Sequence, residues 1–216
     1  CNMNRPTRID SGVATAVARP EEKAASAARL SCLVHAIFAD LTPGTRLSKT
    51  MLRDLFETEF GAPEGPQSWT WRLVQDCAEA AIARHAATHP CRGLDEARAL
   101  DACLPAASHR SEHQVLFQQF STPPSVAFLV ARAAALSHQD SVLEPSAGTG
   151  LLAAFAKPFG GHVVANELDP VRADLTTTAL NLSVSRHDGI QIQGPTVHNG
   201  CPVQEHQCLY TGGDGR

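Results

Sequence analysis

Residues 141–150, Ser141-Val142-Leu143-Glu144-Pro145-Ser146-Ala147-Gly148-Thr149-Gly150, decide the fold. Val142 and Leu143 form a short apolar run bounded by polar and turn-forming residues, the pattern of a short buried strand. The run ends in a loop with two glycines, which permit a sharp turn. From Leu151 to about Lys157 an apolar segment then reads as a helix. The same order returns at once. His162-Val163-Val164-Ala165 is a second strand and Asn166-Glu167-Leu168-Asp169-Pro170 a second loop. A second helix runs from about Val171 to Leu180, and a short third strand lies near Val184. This β-α-β-α-β alternation is that of an α/β chain, the opening half of a parallel, doubly wound sheet.

In such a sheet, ligands bind beyond the carboxyl ends of the strands, where the polar residues of these loops gather. Gly148 and Gly150 let a ligand approach the backbone, and the start of the next helix offers unpaired N–H groups to a carboxylate or phosphate. Glu167 lies 19 residues beyond Gly148, close to the interval at which an acid meets ribose hydroxyls. A nucleoside-containing cofactor fits both features. Gly148-Thr149-Gly150-Leu151-Leu152-Ala153 also satisfies the G-x-G-x-x-A dinucleotide pattern, which keeps a nicotinamide or flavin oxidoreductase as an alternative. Glu144 favours another ligand. An anion at the mouth of the loop is poorly matched to a pyrophosphate and well matched to a cationic amino group. S-adenosyl-L-methionine carries that ammonium, together with a carboxylate for the loop N–H groups and ribose hydroxyls for Glu167.

Upstream, the chain reads as helix and loop. Residues 1–25 lack a sustained apolar period and are expected to be a disordered lead-in. Leu30, Leu33, Val34, Ile37, Phe38 and Leu41 then recur at helical spacing. Ser48 caps a second helix that ends at Gly61, a third opens after Trp69 and Trp71, and a fourth covers about Leu94 to Leu104. Both tryptophans are assigned to packing. Pro123 and Pro124 start a further helix that continues to Leu136.

Composition narrows the class. The chain has 216 residues, 18 basic against 22 acidic, so it lacks the overall basic excess that would by itself announce a nucleic-acid binder. Its apolar stretches fall short of a membrane span, and those at 33–39 and 126–136 contain His35 and Arg132. The seven cysteines include no Cys-x-x-Cys pair, which points to reduced thiols in a cytoplasmic protein. His198, Cys201, His206 and Cys208 match no zinc spacing, so no metal is expected.

Glu144-Pro145-Ser146-Ala147-Gly148-Thr149-Gly150 followed by Asn166-Glu167-Leu168-Asp169-Pro170 resembles the first two cofactor motifs of class I methyltransferases of the adenine-N6 DNA type. Gln118-Gln119-Phe120-Ser121-Thr122-Pro123-Pro124 stands where those enzymes carry a Phe/Tyr-x-Thr-Pro segment. The resemblance implies a Rossmann-like sheet that binds S-adenosyl-L-methionine through Phe120, Thr122, Glu144, Ser146, Gly148, Gly150 and Glu167. Asp188, after the third strand, would take the adenine amino group of the donor. Trp69-Thr70-Trp71, Asp76-Cys77-Ala78-Glu79-Ala80-Ala81 and Gln118-Gln119-Phe120 further resemble the N-terminal region of strawberry notch-type methylase-helicases. That likeness, over about residues 26–188, implies DNA as partner and a helicase domain elsewhere in a parent protein.

The resulting expectation is a helical region at 26–113, a methyltransferase-like cofactor-binding half-domain at 114–188 and an irregular tail at 189–216. Adenine methylases carry an Asn-Pro-Pro-Phe/Tyr motif at the fourth strand, and it is absent here. The tail reads Gly, Pro, Gln, His and Cys without strand periodicity, as a frameshift near Gly189 or an unusual fragment end would produce. No catalytic residue is therefore assigned. A truncated donor-binding half is expected, inactive by itself, with a non-catalytic cofactor-sensing or DNA-docking module as the alternative.

Overall fold

The computed structural model describes residues 20–63, 69–104, 121–159 and 162–188. Helix α1 spans Pro20–Ala39, so helical backbone begins six residues before the expected start at Ser26. It buries Leu30, Leu33, Val34 and Ile37, the stripe that the sequence spacing implies. Helix α2, Lys49–Phe60, is capped by Ser48, whose hydroxyl accepts the Met51 N–H at 3.5 Å. Helix α3, Trp71–Thr88, is capped in the same way by Thr70, which accepts the Leu73 N–H at 3.3 Å. Each cap satisfies a first-turn donor that has no partner within its helix. Helix α4 covers Leu94–Cys103 and α5 covers Pro124–Ala133, with proline in its first turn as the sequence implies.

From there strands alternate with helices: β1 Ser141–Glu144, α6 Leu151–Ala156, β2 His162–Asn166, α7 Pro170–Leu180 and β3 Val184–Ser185. The three strands form one parallel sheet in the order β1-β2-β3. Val142 pairs with Val163 and Glu144 with Ala165, while Ala165 also pairs with Val184 across the sheet. The fold is therefore α/β with a small parallel sheet. Val142 and Val163 belong to the buried core, whereas Leu143 and Val164 on the opposite face are partly exposed.

The helical region is not a separate body. Helix α6 lies against β1 and β2, α3 packs on both α6 and α7, and α1 packs on α3 and α7. A helix in the middle of such a stack must be slim and largely apolar. Helix α3 meets this with Cys77, Ala78, Ala80, Ala81, Ile82 and Ala83, all buried. Helix α5 closes one side, where Phe128 meets Phe155 of α6 edge to face at 6.3 Å between ring centroids.

The two tryptophans part company. Trp69 is 2% exposed, packs on Phe56 with centroids 5.4 Å apart, and donates its indole N–H to the Gly61 carbonyl at 3.0 Å. Trp71 is 44% exposed and meets Trp69 only edge-on, so the packing assignment holds for the first and fails for the second. Cys32, Cys77, Cys91 and Cys103 carry free thiols. Among the described residues no helix is long and apolar enough to cross a membrane.

Candidate functional site

The loop after β1 is built by hydrogen bonds to its neighbours. Ala147 donates its N–H to the Asn166 carbonyl at 2.8 Å, and Gly150 donates to the Ala147 carbonyl at 2.8 Å, closing the turn. Gly148 and Gly150 have φ of +58° and +89°, a left-handed backbone that glycine adopts at little cost. Space constrains Gly150 as well. A Cβ there would stand 2.9 Å from Leu180 Cδ1 and 3.1 Å from Thr176 Cγ2, so the loop presses directly on α7. Thr176 completes the contact by donating its hydroxyl to the Gly148 carbonyl at 2.8 Å.

Two carboxylates stand at the strand ends. Glu167, just past β2, accepts the Gly148 N–H at 2.7 Å on one oxygen and the Asp169 N–H at 2.9 Å on the other. It thereby ties the first loop to the second, and each oxygen keeps acceptor capacity. Glu144, the last residue of β1, is 3% exposed. Its Oε1 accepts the Ser146 N–H at 3.2 Å, while its Oε2 is buried without a hydrogen-bond partner. Burial pushes this carboxyl from its ordinary 4.5 up to about 7; the Ser146 N–H opposes the shift and the nearby Glu167 charge adds to it.

Asn166 locks the strand tips together. Its side-chain N–H groups reach the Pro145 carbonyl at 3.0 Å and the His187 carbonyl at 2.9 Å, and its Oδ1 accepts from Ser185 Oγ and the His187 N–H, both at 2.8 Å. All four of its hydrogen-bonding positions are thus used within one buried side chain.

Beneath the glycine loop lies a buried ionic network. Asp169 caps α7, accepting the Val171 and Arg172 N–H groups at 2.9 and 3.2 Å, and its other oxygen pairs with Arg72 of α3 at 3.1 Å. Arg172 reaches back into the interface, 3.5 Å from Asp76 and 3.9 Å from Glu79, both on α3. Glu79 Oε2 accepts hydrogen bonds from Thr149 Oγ1 at 3.0 Å and from Ser121 Oγ. Burial raises the Asp76 carboxyl to about 7, although the Arg172 and Arg72 guanidinium groups hold it down.

The structure brings Glu144, Gly148, Gly150 and Glu167 together at the carboxyl ends of β1 and β2. Ser146 is exposed, with its N–H on Glu144, and Asp188 is exposed beyond β3. Thr122 is half-buried in the segment entering α5. Phe120 lies outside the described residues, as do the tail at 189–216 and residues 1–19. Asn166, Thr149, Ser121, Glu79, Asp76 and Arg172 received no role from the sequence. The signal for two of them was present: Asp76 and Glu79 stand among Cys77, Ala78, Ala80 and Ala81 on a helix with no polar face to spare, and a buried acid needs a cation.

Among the described residues no group of three or more His, Cys, Asp or Glu side chains is placed to hold a metal ion. Comparison with protein-family models, with curated proteins and with solved structures finds no match to this chain.

Proposed function

We propose that this chain is the donor-binding part of an S-adenosyl-L-methionine-dependent DNA methyltransferase of the adenine-N6 type, with a Rossmann-like sheet. The observation that carries the reading is Glu144: a buried carboxylate with one unpartnered oxygen at the mouth of a glycine loop. An ammonium beside it would satisfy that oxygen and favour its ionised form. A pyrophosphate would meet the Glu144 acid at the mouth of the loop, so the nicotinamide and flavin alternative is disfavoured by charge. Glu167 keeps lone pairs for ribose hydroxyls, and its bonds to Gly148 and Asp169 hold it in place before any ligand arrives.

The donor would supply a methyl group on a sulfonium, transferable to an exocyclic amine. The residues of this chain would orient it: Glu144 and Ser146 at the methionine end, Gly148 and Gly150 by close backbone approach, Glu167 at the ribose and Asp188 at the adenine amino group. Thr122, with Phe120 before it, borders the methionine end in the resembling family. Positioning and exclusion of water are the protein's contribution to such a transfer, with the target base flipped out of its stack.

A second reading is a donor-binding module that docks on DNA without transferring methyl groups, in company with a helicase domain. Calorimetry separates donor binding from the alternatives. S-adenosylhomocysteine is expected to bind with proton release at pH 7, about half a proton per site, because Glu144 is half protonated there and ionises beside the ligand ammonium. Glu144→Gln should bind with no such release. Binding of NAD in preference to S-adenosylhomocysteine would overturn the reading, and methyl transfer to DNA by the chain would dismiss the module.

A further inference from the structure

Two of the hydrogen bonds at Glu79 join segments that are distant in sequence. Thr149 Oγ1, in the glycine loop, reaches Glu79 Oε2 from 70 residues away, and Ser121 Oγ, ahead of α5, reaches the same oxygen from 42 residues away. Arg172 closes the ring. Its Nη2 donates to Ser121 Oγ at 2.9 Å and stands 3.9 Å from Glu79 Oε2, with the guanidinium 3.4–3.7 Å from where a Cβ on Gly148 would be. Glu79 Oε1 is held in turn by Gln75 at 3.0 Å, so the acid is fixed on α3 before either loop is counted.

We infer that Glu79 is a positioning residue, a single carboxylate oxygen that holds both the glycine loop and the Ser121-Thr122 segment in the geometry of the candidate site. The glycine loop needs such a tether. Thr149 sits between two glycines at positive φ, the residues with the widest backbone freedom in the chain. Of Gly148, Thr149 and Gly150 it alone has a side chain to anchor, and it is 2% exposed. Ser121 directly precedes Thr122, so its anchoring fixes where Thr122 emerges. The one acceptor for both is on α3, which makes the helical layer a part of the site and not a neighbouring module. Buried among apolar residues, a carboxylate with these donors and Arg172 is satisfied; removing it takes the acceptor from two hydroxyls and leaves Arg172 with Asp76 as its remaining buried acid.

The inference rests on the donor-binding reading for its affinity consequence only, and the test keeps the two apart. Hydrogen exchange of the Gly148 and Gly150 amides reads the loop directly, since these amides are bonded to Glu167 and Ala147. In Glu79→Ala and in Thr149→Val both amides should exchange at least tenfold faster. Asp76→Asn, which changes the same helix and the same arginine but touches neither hydroxyl, should leave them at the wild-type rate. Glu79→Gln, whose side-chain oxygen still accepts from a hydroxyl, should restore part of the protection.

S-adenosylhomocysteine affinity should fall about tenfold in Thr149→Val and further in Glu79→Ala, which also releases Ser121, and the double variant should fall no further than Glu79→Ala, because the loss at Thr149 passes through Glu79. Wild-type exchange at the loop in a folded Glu79→Ala, or additive losses in the double variant, would overturn the inference. Should Glu79→Ala fail to fold, Thr149→Val decides, since valine preserves shape and removes only the hydroxyl. Failure of the wild-type chain to bind S-adenosylhomocysteine would defeat the donor reading, while the exchange rates would still settle the role of Glu79.

Discussion

Replacing Glu144 by glutamine should change how the stability of this protein depends on pH, by an amount that follows from its surroundings. In the unfolded chain the carboxyl ionises near 4.5; in the folded chain burial and the Glu167 charge delay ionisation to about 7. A group whose folded value is the higher one stabilises the fold fully below 4.5, and that contribution is lost as the pH rises through 7. The difference between the two values corresponds to about 3 kcal/mol.

Asp76, raised to about 7 by burial against the opposing arginines, titrates in the same window in both proteins and cancels from their difference. Glutamine retains an oxygen for the Ser146 N–H but places an amide where Oε2 lacks a partner, a cost independent of pH. Urea unfolding from pH 4 to 8.5 should therefore show the variant gaining on the wild type by about 3 kcal/mol across the range. For a chain of this size that is roughly 6–12 °C in melting temperature. The same stability difference at pH 4 and pH 8.5 would refute the reasoning, and would mean that Glu144 finds a partner or water on its second oxygen.

Gly150→Ala should destabilise the fold by about 2 kcal/mol or more in chemical denaturation, because the new methyl meets Leu180 and Thr176 at 2.9 and 3.1 Å on a backbone with φ of +89°. Arg172→Met keeps the length of the side chain and removes the cation between two buried acids; denaturation should register a loss of about 3–5 kcal/mol at pH 8. At pH 5 part of that loss should return, since Asp76 without its guanidinium partner then accepts a proton. Trp69→Ala should lower stability by about 3–5 kcal/mol, whereas Trp71→Ala, at the surface, should cost about 1 kcal/mol or less in the same measurement.

Local elements were open to reading because their causes lie among adjacent residues. The cap at Ser48, the prolines opening α5, and the strand that runs into Glu144 and the glycine loop each depend on a handful of neighbours. The order of strands and helices followed from these, and with it the placing of Glu144, Gly148, Gly150 and Glu167 at one end of the sheet. Burial of Trp69 beside exposure of Trp71 was not open to reading, since their composition and spacing are alike and only the position of Phe56 and Gly61 separates them. Nor does the sequence say that Val142 faces the helices while Leu143 faces away; both are apolar, and the side on which α6 packs decides.

By itself, then, the sequence determined the elements, their α/β order and the cluster of acids and glycines at the strand ends, because each is written in short-range periodicity and turn chemistry. Tertiary structure alone decided that α3 forms the floor of that cluster, with Asp76 and Glu79 meeting Arg172, Ser121 and Thr149 across 42–96 residues of chain. A buried charge must find its partner wherever the packing of layers puts one, and nothing in the residues beside it names that partner.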